Sequence, residues 1–151
     1  MSKLIGVIGS GDPSDREDIV ARNIGSLIAA KGAVLVCGGL SGIMESASRG
    51  AFEAGGLTLG ILPGEDRSQA NPYIQIVIPS GMGVGRNVLV VRSSDALIAM
   101  KGGTGTLSEI ALALNTGKPV VDMGSWNLEG MLPAASPEEA VRIAFSLLGE
   151  R

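Results

Sequence analysis

Histidine is absent from this chain of 151 residues, and cysteine occurs once, at Cys37. Without imidazole there is no Ser-His-Asp triad, no histidine acid–base catalyst and no histidine metal ligand, and a single thiol forms no disulfide within the chain. Any catalysis falls to carboxylate, arginine, lysine, hydroxyl or backbone groups. Aromatic residues are almost as scarce: Phe52, Tyr73, Trp126 and Phe145. That scarcity argues against the ring platforms on which nucleic-acid bases stack. A net charge of −3 offers polyanions no general attraction. Charged residues make up only 18% of the chain against 45% apolar, and the mean hydropathy is +0.34. Yet no apolar run approaches the ~18 residues of a membrane span. The expectation is one domain over 1–151 with a sizeable core, its apolar excess spent on buried parallel strands and a subunit interface. The chain enters a strand-like run at once, without a signal-peptide pattern. A cytoplasmic protein follows, with no nucleic-acid or membrane partner and no metal ion or cofactor expected.

What the chain has in plenty is glycine, 23 residues of it, placed between alternating strand-like and helix-like segments. Short apolar runs at 4–8, 34–37, 57–62, 74–78, 96–100 and 119–122 read as strands. Ser14-Asp15-Arg16-Glu17 is a capping box, and Ile19, Val20, Ile24, Leu27 and Ile28 give the helix behind it one apolar face. Gly32 stops that helix. Further helices are predicted over 43–54, 87–93, 106–116 and 140–148, the last opened by Ser136-Pro137-Glu138-Glu139. Residues 63–72 read as a loop. The alternation predicts an α/β fold: a Rossmann-like, doubly wound parallel sheet with helices on both faces. Its ligand belongs at the carboxyl ends of the strands, where strand order reverses.

Glycine-bearing turns follow several predicted strands, and the run Lys101-Gly102-Gly103-Thr104-Gly105-Thr106-Leu107-Ser108-Glu109 is the most informative. A strand, a bare backbone turn and a helix N-terminus in that order suit a phosphate group. Neither common nucleotide signature is present: Gly6-x-x-Gly9-x-Gly11 is not G-x-G-x-x-G, and no Lys-Ser/Thr pair completes a P-loop. The candidate cradle is Ser10, Gly11, Gly38, Gly39, Gly102, Gly103, Thr104, Gly105 and Thr106. Turn formation alone accounts for the early glycines equally well. Arg86 follows Gly81, Gly83 and Gly85, where a guanidinium can fork onto a phosphate or lie in solvent. Glu109 has two readings: the reaching arm of a Thr106-x-x-Glu109 capping box, or a carboxylate turned into the pocket. Cys37 reads as a small buried hydrophobe, with a reactive thiol as the alternative. Lys101 sits at the rim or in solvent, Asp95 serves a turn, Arg92 is exposed or structural, and Trp126 belongs to the core or an interface.

Ser94-Asp95-Ala96-Leu97-Ile98-Ala99 followed by Gly102-Gly103-Thr104-Gly105-Thr106-Leu107-Ser108-Glu109 resembles the Lonely-guy (LOG) family, with its hallmark P-G-G-x-G-T-x-x-E. Arg86 stands nine residues before Asp95, as in that family. Gly38-Gly39-Leu40-Ser41-Gly42-Ile43-Met44 and Ile61-Leu62-Pro63 resemble its other turns. The resemblance implies a Rossmann-like fold, a homodimer or homotetramer, and cleavage of the base from nucleoside 5′-monophosphates. Arg86 and Glu109 would then match the catalytic residues, and 102–106 the phosphate turn. A carboxylate near the ribose suits an oxocarbenium-like state. Lys101 in place of the hallmark proline, and Gly85 and Asn87 beside Arg86, are nearer a sister branch that includes molybdenum-cofactor carrier-like proteins. Two functions thus stand side by side: a nucleoside monophosphate phosphoribohydrolase, and a non-catalytic carrier of a phosphorylated cofactor. A third, a scaffold whose glycines serve packing, has no ligand.

Overall fold

A computed structural model describes residues 1–149; residues 150 and 151 of the expected 1–151 domain lie outside the described residues. The elements in chain order are β1 (Leu4–Ile8), α1 (Asp15–Ala30), β2 (Val34–Cys37), α2 (Ile43–Glu53), β3 (Leu57–Leu62), β4 (Ile76–Pro79), α3 (Arg86–Ser93), β5 (Ala96–Met100), α4 (Thr104–Asn115), β6 (Val120–Met123), β7 (Leu132–Pro133) and α5 (Pro137–Ser146). All strand pairs are parallel, in the order β4-β3-β2-β1-β5-β6-β7. The chain steps outward from β1 to β4, then returns to β5 on the other side of β1. The order therefore reverses between β1 and β5, where Ile5 pairs with Ala96 and Ile8 with Ala99.

Successive strand residues point to opposite faces, so each strand feeds two cores. Ile5, Val7, Leu35, Cys37, Ala96 and Ile98 pack with α1, α2 and α5, while Ile8, Val36, Leu97 and Ala99 pack with α3 and α4. This is the doubly wound parallel sheet that the alternating pattern predicts. Among the described residues no helix is long and apolar enough to cross a membrane.

Ser14 caps α1 as predicted: its hydroxyl accepts from the Glu17 amide, and the Glu17 carboxylate accepts from the Ser14 amide. The box at Ser136 forms only half. Its hydroxyl accepts from the Glu139 amide at 3.1 Å, but the Glu139 carboxylate takes the Ala135 amide instead. The fourth strand begins at Ile76 rather than at residue 74, because Asn71 folds the preceding residues into a turn. Its side chain accepts from the Tyr73 amide, and its carbonyl from the Ile74 amide. The two-residue β7 is too short to carry a periodic signal.

Helices α1 and α2 approach until their backbones touch. A Cβ on Gly25 would stand 1.9 Å from the Ala47 carbonyl oxygen, and one on Gly50 the same distance from that of Arg22. Neither backbone can yield without parting the helices. Gly50→Ala is expected to destabilise the fold by about 1–3 kcal/mol or more, the usual cost of overpacking. Urea unfolding measures it, and an unchanged midpoint would mean the helices are not in backbone contact.

Candidate ligand-binding site

A cavity of about 260 Å³ opens beyond the carboxyl ends of β1 and β5. It lies where the turns diverge at the reversal of strand order, the usual ligand crevice of an open α/β sheet. Of the residues expected there, Ser10, Gly11, Gly38, Arg86, Gly103, Gly105, Thr106 and Glu109 line it. Gly39, Gly102 and Thr104 do not. Gly39 has a φ of +77°, and a Cβ there would stand 2.7 Å from Leu62 Cδ2; it lets the end of β3 pack onto the β2 turn. A Cβ on Gly102 would fall 2.1 Å from Thr106 Oγ1 and 3.1 Å from the Gly9 carbonyl carbon, so this glycine lets two turns meet. Thr104 faces a shallower groove between α3 and α4.

The cavity also has walls outside the expected cradle: Val7, Ile8, Gly9, Met44 and Asn87. Gly9 lies within an expected turn. Met44 reads as core. Asn87 is marked only by its place after Arg86, where it departs from the LOG pattern.

Helix α4 begins two residues earlier than predicted, and this changes the reading of Glu109. Its N-cap is Gly103, which has no side chain to cap with. The first helical bond runs from the Leu107 amide to the Gly103 carbonyl at 3.0 Å. Thr106 is therefore already inside the helix and Glu109 lies in its second turn, so the Thr106-x-x-Glu109 capping box does not form. The amides of the first turn, including Gly105 and Thr106, have no partner within the helix. Together with the helix dipole they favour an anion at the cavity. Ser10 differs: its amide already donates to the Lys101 carbonyl at 2.8 Å, which leaves its hydroxyl as its free donor.

Gly38 serves Arg86. A Cβ there would stand 2.7 Å from Arg86 Nη2 and 2.8 Å from Cζ, so the guanidinium rests on the bare backbone at the end of β2. Arg86 Nη1 donates to Asn87 Oδ1, while the buried Nε has no hydrogen-bond partner among the described residues. Glu109 is buried, only 7% exposed. Burial pushes its carboxyl up to about 7, and the positive charge of Arg86 opposes that rise. Near neutrality it both holds and releases a proton. Cys37 is fully buried, and burial pushes its thiol up, so it is the inert hydrophobe rather than a nucleophile.

The remaining candidates lie outside the cavity. Lys101 is exposed at the end of β5 and Arg92 is exposed on α3. Asp95 accepts from the Leu4 amide at 2.8 Å and ties the start of β1 to the turn before β5. Trp126 is 40% exposed rather than core, and its Nε1 donates to the Gly103 carbonyl at 3.2 Å. Among the described residues no cluster of acidic or thiol side chains could hold a metal ion.

The model of the SLOG cluster4 family matches residues 2–145. The chain belongs to this family. It thus lies within the superfamily that the Gly102-to-Glu109 run resembles. A protein of Archaeoglobus fulgidus is 46% identical over 143 residues, 94% of each chain. Among solved structures, the molybdenum cofactor binding protein of the phototrophic bacterium Rippkaea orientalis is 37% identical with a TM-score of 0.92, over 99% of both chains. The molybdenum cofactor carrier protein of Chlamydomonas reinhardtii is 33% identical with a TM-score of 0.89, over 99% of this chain and all of that one.

The raised Glu109 carboxyl has a consequence for stability. Between pH 4.5, its ordinary value, and about 7 the unfolded chain has lost this proton while the folded protein keeps it. Stability therefore falls as pH rises through that window, by about 3 kcal/mol in all. Glu109→Gln cannot ionise and escapes this loss. Urea unfolding should show the variant gaining on the native protein from pH 5 to pH 8; an equal difference at both pH values would refute the buried, proton-holding carboxyl.

Proposed function

We propose that this protein binds a phosphorylated small molecule in the cavity between β1 and β5 and holds it without cleaving it, as a carrier or storage protein. The molybdenum cofactor is the ligand that the relatives' names favour. The observation that carries this reading is the meeting of an uncapped α4 N-terminus with a guanidinium that still has an unpartnered donor. It stands in a chain that aligns end to end with two proteins named for binding or carrying that cofactor. The residues fit such a cargo. The α4 amides, Arg86 and the Ser10 hydroxyl are donors suited to a phosphate group, and Val7, Ile8 and Met44 offer an apolar wall to a ring. The cradle is then Ser10, Gly11, Gly103, Gly105 and Thr106, with Gly38, Gly39 and Gly102 shaping it and Thr104 opening the helix. The expected cytoplasmic setting and homo-oligomeric state belong to the same proposal.

A second reading is the phosphoribohydrolase, with Arg86 and Glu109 as the catalytic pair. It is favoured by one observation: both side chains line the same cavity, and the charge of Arg86 acts on the Glu109 carboxyl. The similarity to carrier proteins over the whole chain supports the first reading better.

The two readings separate in one experiment. The purified protein is incubated with molybdenum cofactor and, in parallel, with AMP, and followed by thermal melting and by chromatography of the products. The carrier reading expects a raised melting temperature with the cofactor and no adenine released from AMP. Release of adenine and ribose 5-phosphate, lost in Glu109→Gln, would establish the hydrolase instead. No stabilisation by either compound would remove both and leave a scaffold.

A further inference from the structure

Arginine is a donor at every nitrogen and accepts nothing. Arg86 Nη1 donates to Oδ1 of Asn87, its neighbour at the start of α3. That contact decides which way the carboxamide points. With Oδ1 turned to the guanidinium, Nδ2 faces the opposite side and donates to Ser108 Oγ at 3.2 Å. Ser108 then spends its single hydroxyl hydrogen on the Gly105 carbonyl at 2.7 Å. Every hydrogen in this relay has one direction, because the group at its head can only give. The relay joins the first turn of α3 to the first turn of α4; Asn87 and Gly105 line the cavity, and Ser108 lies in the groove between α3 and α4 beside it.

The guanidinium is thus held on two sides. Gly38 supplies the flat floor beneath it, and Asn87 supplies the acceptor at its edge. We infer that Asn87 is a positioning residue for Arg86, braced by Ser108, which fixes the guanidinium beside the α4 N-terminus so that one phosphate group meets both. The last clause rests on the phosphate-ligand reading above; the placement of Arg86 does not. A neutral carboxamide is suited to the task. An aspartate in its place would accept equally well but would cancel the positive charge that an anionic ligand needs. An aliphatic side chain would leave Nη1 without its acceptor and the guanidinium free to swing.

The test uses Asn87→Leu, which keeps the side-chain size and removes the acceptor, and Ser108→Ala, which removes only the brace on the exposed side. Two quantities are read in the native protein and both variants: the titration midpoint of the Glu109 carboxyl by NMR without ligand, and the dissociation constant for inorganic phosphate. The charge of Arg86 is what holds the Glu109 carboxyl down, so a displaced guanidinium lets the midpoint rise. Asn87→Leu is expected to raise it and to weaken phosphate binding by about tenfold, the loss of one charged hydrogen-bonding partner. Ser108→Ala should shift both in the same direction by less. An unchanged Glu109 midpoint in folded Asn87→Leu overturns the inference; should that variant not fold, an unchanged midpoint in Ser108→Ala overturns it. A raised midpoint with unchanged phosphate affinity would refute the link from positioning to ligand. If the native protein binds no phosphate at all, the ligand reading fails, while the Glu109 titration still decides the role of Asn87.

Discussion

Ser10 ties three turns together through its backbone. Its amide donates to the Lys101 carbonyl at 2.8 Å, and its carbonyl accepts from the Ile43 amide at 2.9 Å. The turn after β1 is thereby clamped between the end of β5 on one side and the start of α2 on the other. Main-chain bonds across both gaps require the turns to approach with no side chain between them. A Cβ on Gly42, whose φ is +77°, would stand 2.4 Å from the Ser10 carbonyl oxygen, and one on Gly9 would stand 2.9 Å from the Ile43 side chain. Gly42 thus lets backbone meet backbone, while Gly9 makes room for the Ile43 side chain. The cavity is a consequence: once the turns are clamped, the α4 N-terminus arrives beside the β1 turn and the cavity is what remains between them.

That clamp also sets the electrostatics. Helix α4 carries Glu109 inward to a place only 7% exposed, and α3 brings Arg86 to the same cavity over the bare backbone of Gly38. A buried carboxyl beside one cation is pulled two ways. Desolvation favours the neutral acid, and the guanidinium favours the anion. Desolvation is the larger of the two, which brings the group to about 7. The strand and helix ends supply the low-dielectric setting, and the glycine floor lets the cation in.

The fold was legible because its signals are local. The capping box at Ser14, the apolar strand runs and the glycine stops lie within a few residues of what they specify, and a parallel sheet with helices on both faces follows from alternation of strand and helix. The site was legible in its parts. Arg86, Glu109, Gly103, Gly105 and Thr106 are marked by type and spacing, and the cavity contains them. Its inner logic was not legible. The Thr106-x-x-Glu109 pattern has the spacing of a cap, but Gly103 already begins the helix, and three residues of spacing cannot say where a helix starts when glycine is also allowed at the N-cap. Gly38 reads as a phosphate-cradle or turn glycine, whereas the space it leaves is filled by Arg86 from a distant part of the chain. Asn87 carries no pattern because its partners, Arg86 and Ser108, come together only when α3 packs on α4.

The same two side chains that suit hydrolysis suit retention equally well, and the protonation state of Glu109 bears on both. Stabilising a cation that develops on a ribose requires an ionised carboxylate. A carboxyl brought to about 7 is only partly ionised near neutrality, a state that serves proton transfer as well as hydrogen-bond donation. A phosphate bound between Arg86 and the α4 amides adds negative charge to the same space, and a like charge nearby drives a carboxyl further toward its neutral form. The occupied site would then present a carboxylic acid, which donates a hydrogen bond to an anion, in place of a carboxylate that would repel it. Arginine and a protonated glutamate around a phosphate would make a clamp of one cation and one neutral donor. On the carrier reading proposed above, a bound phosphate would thus disfavour the ionised state of Glu109.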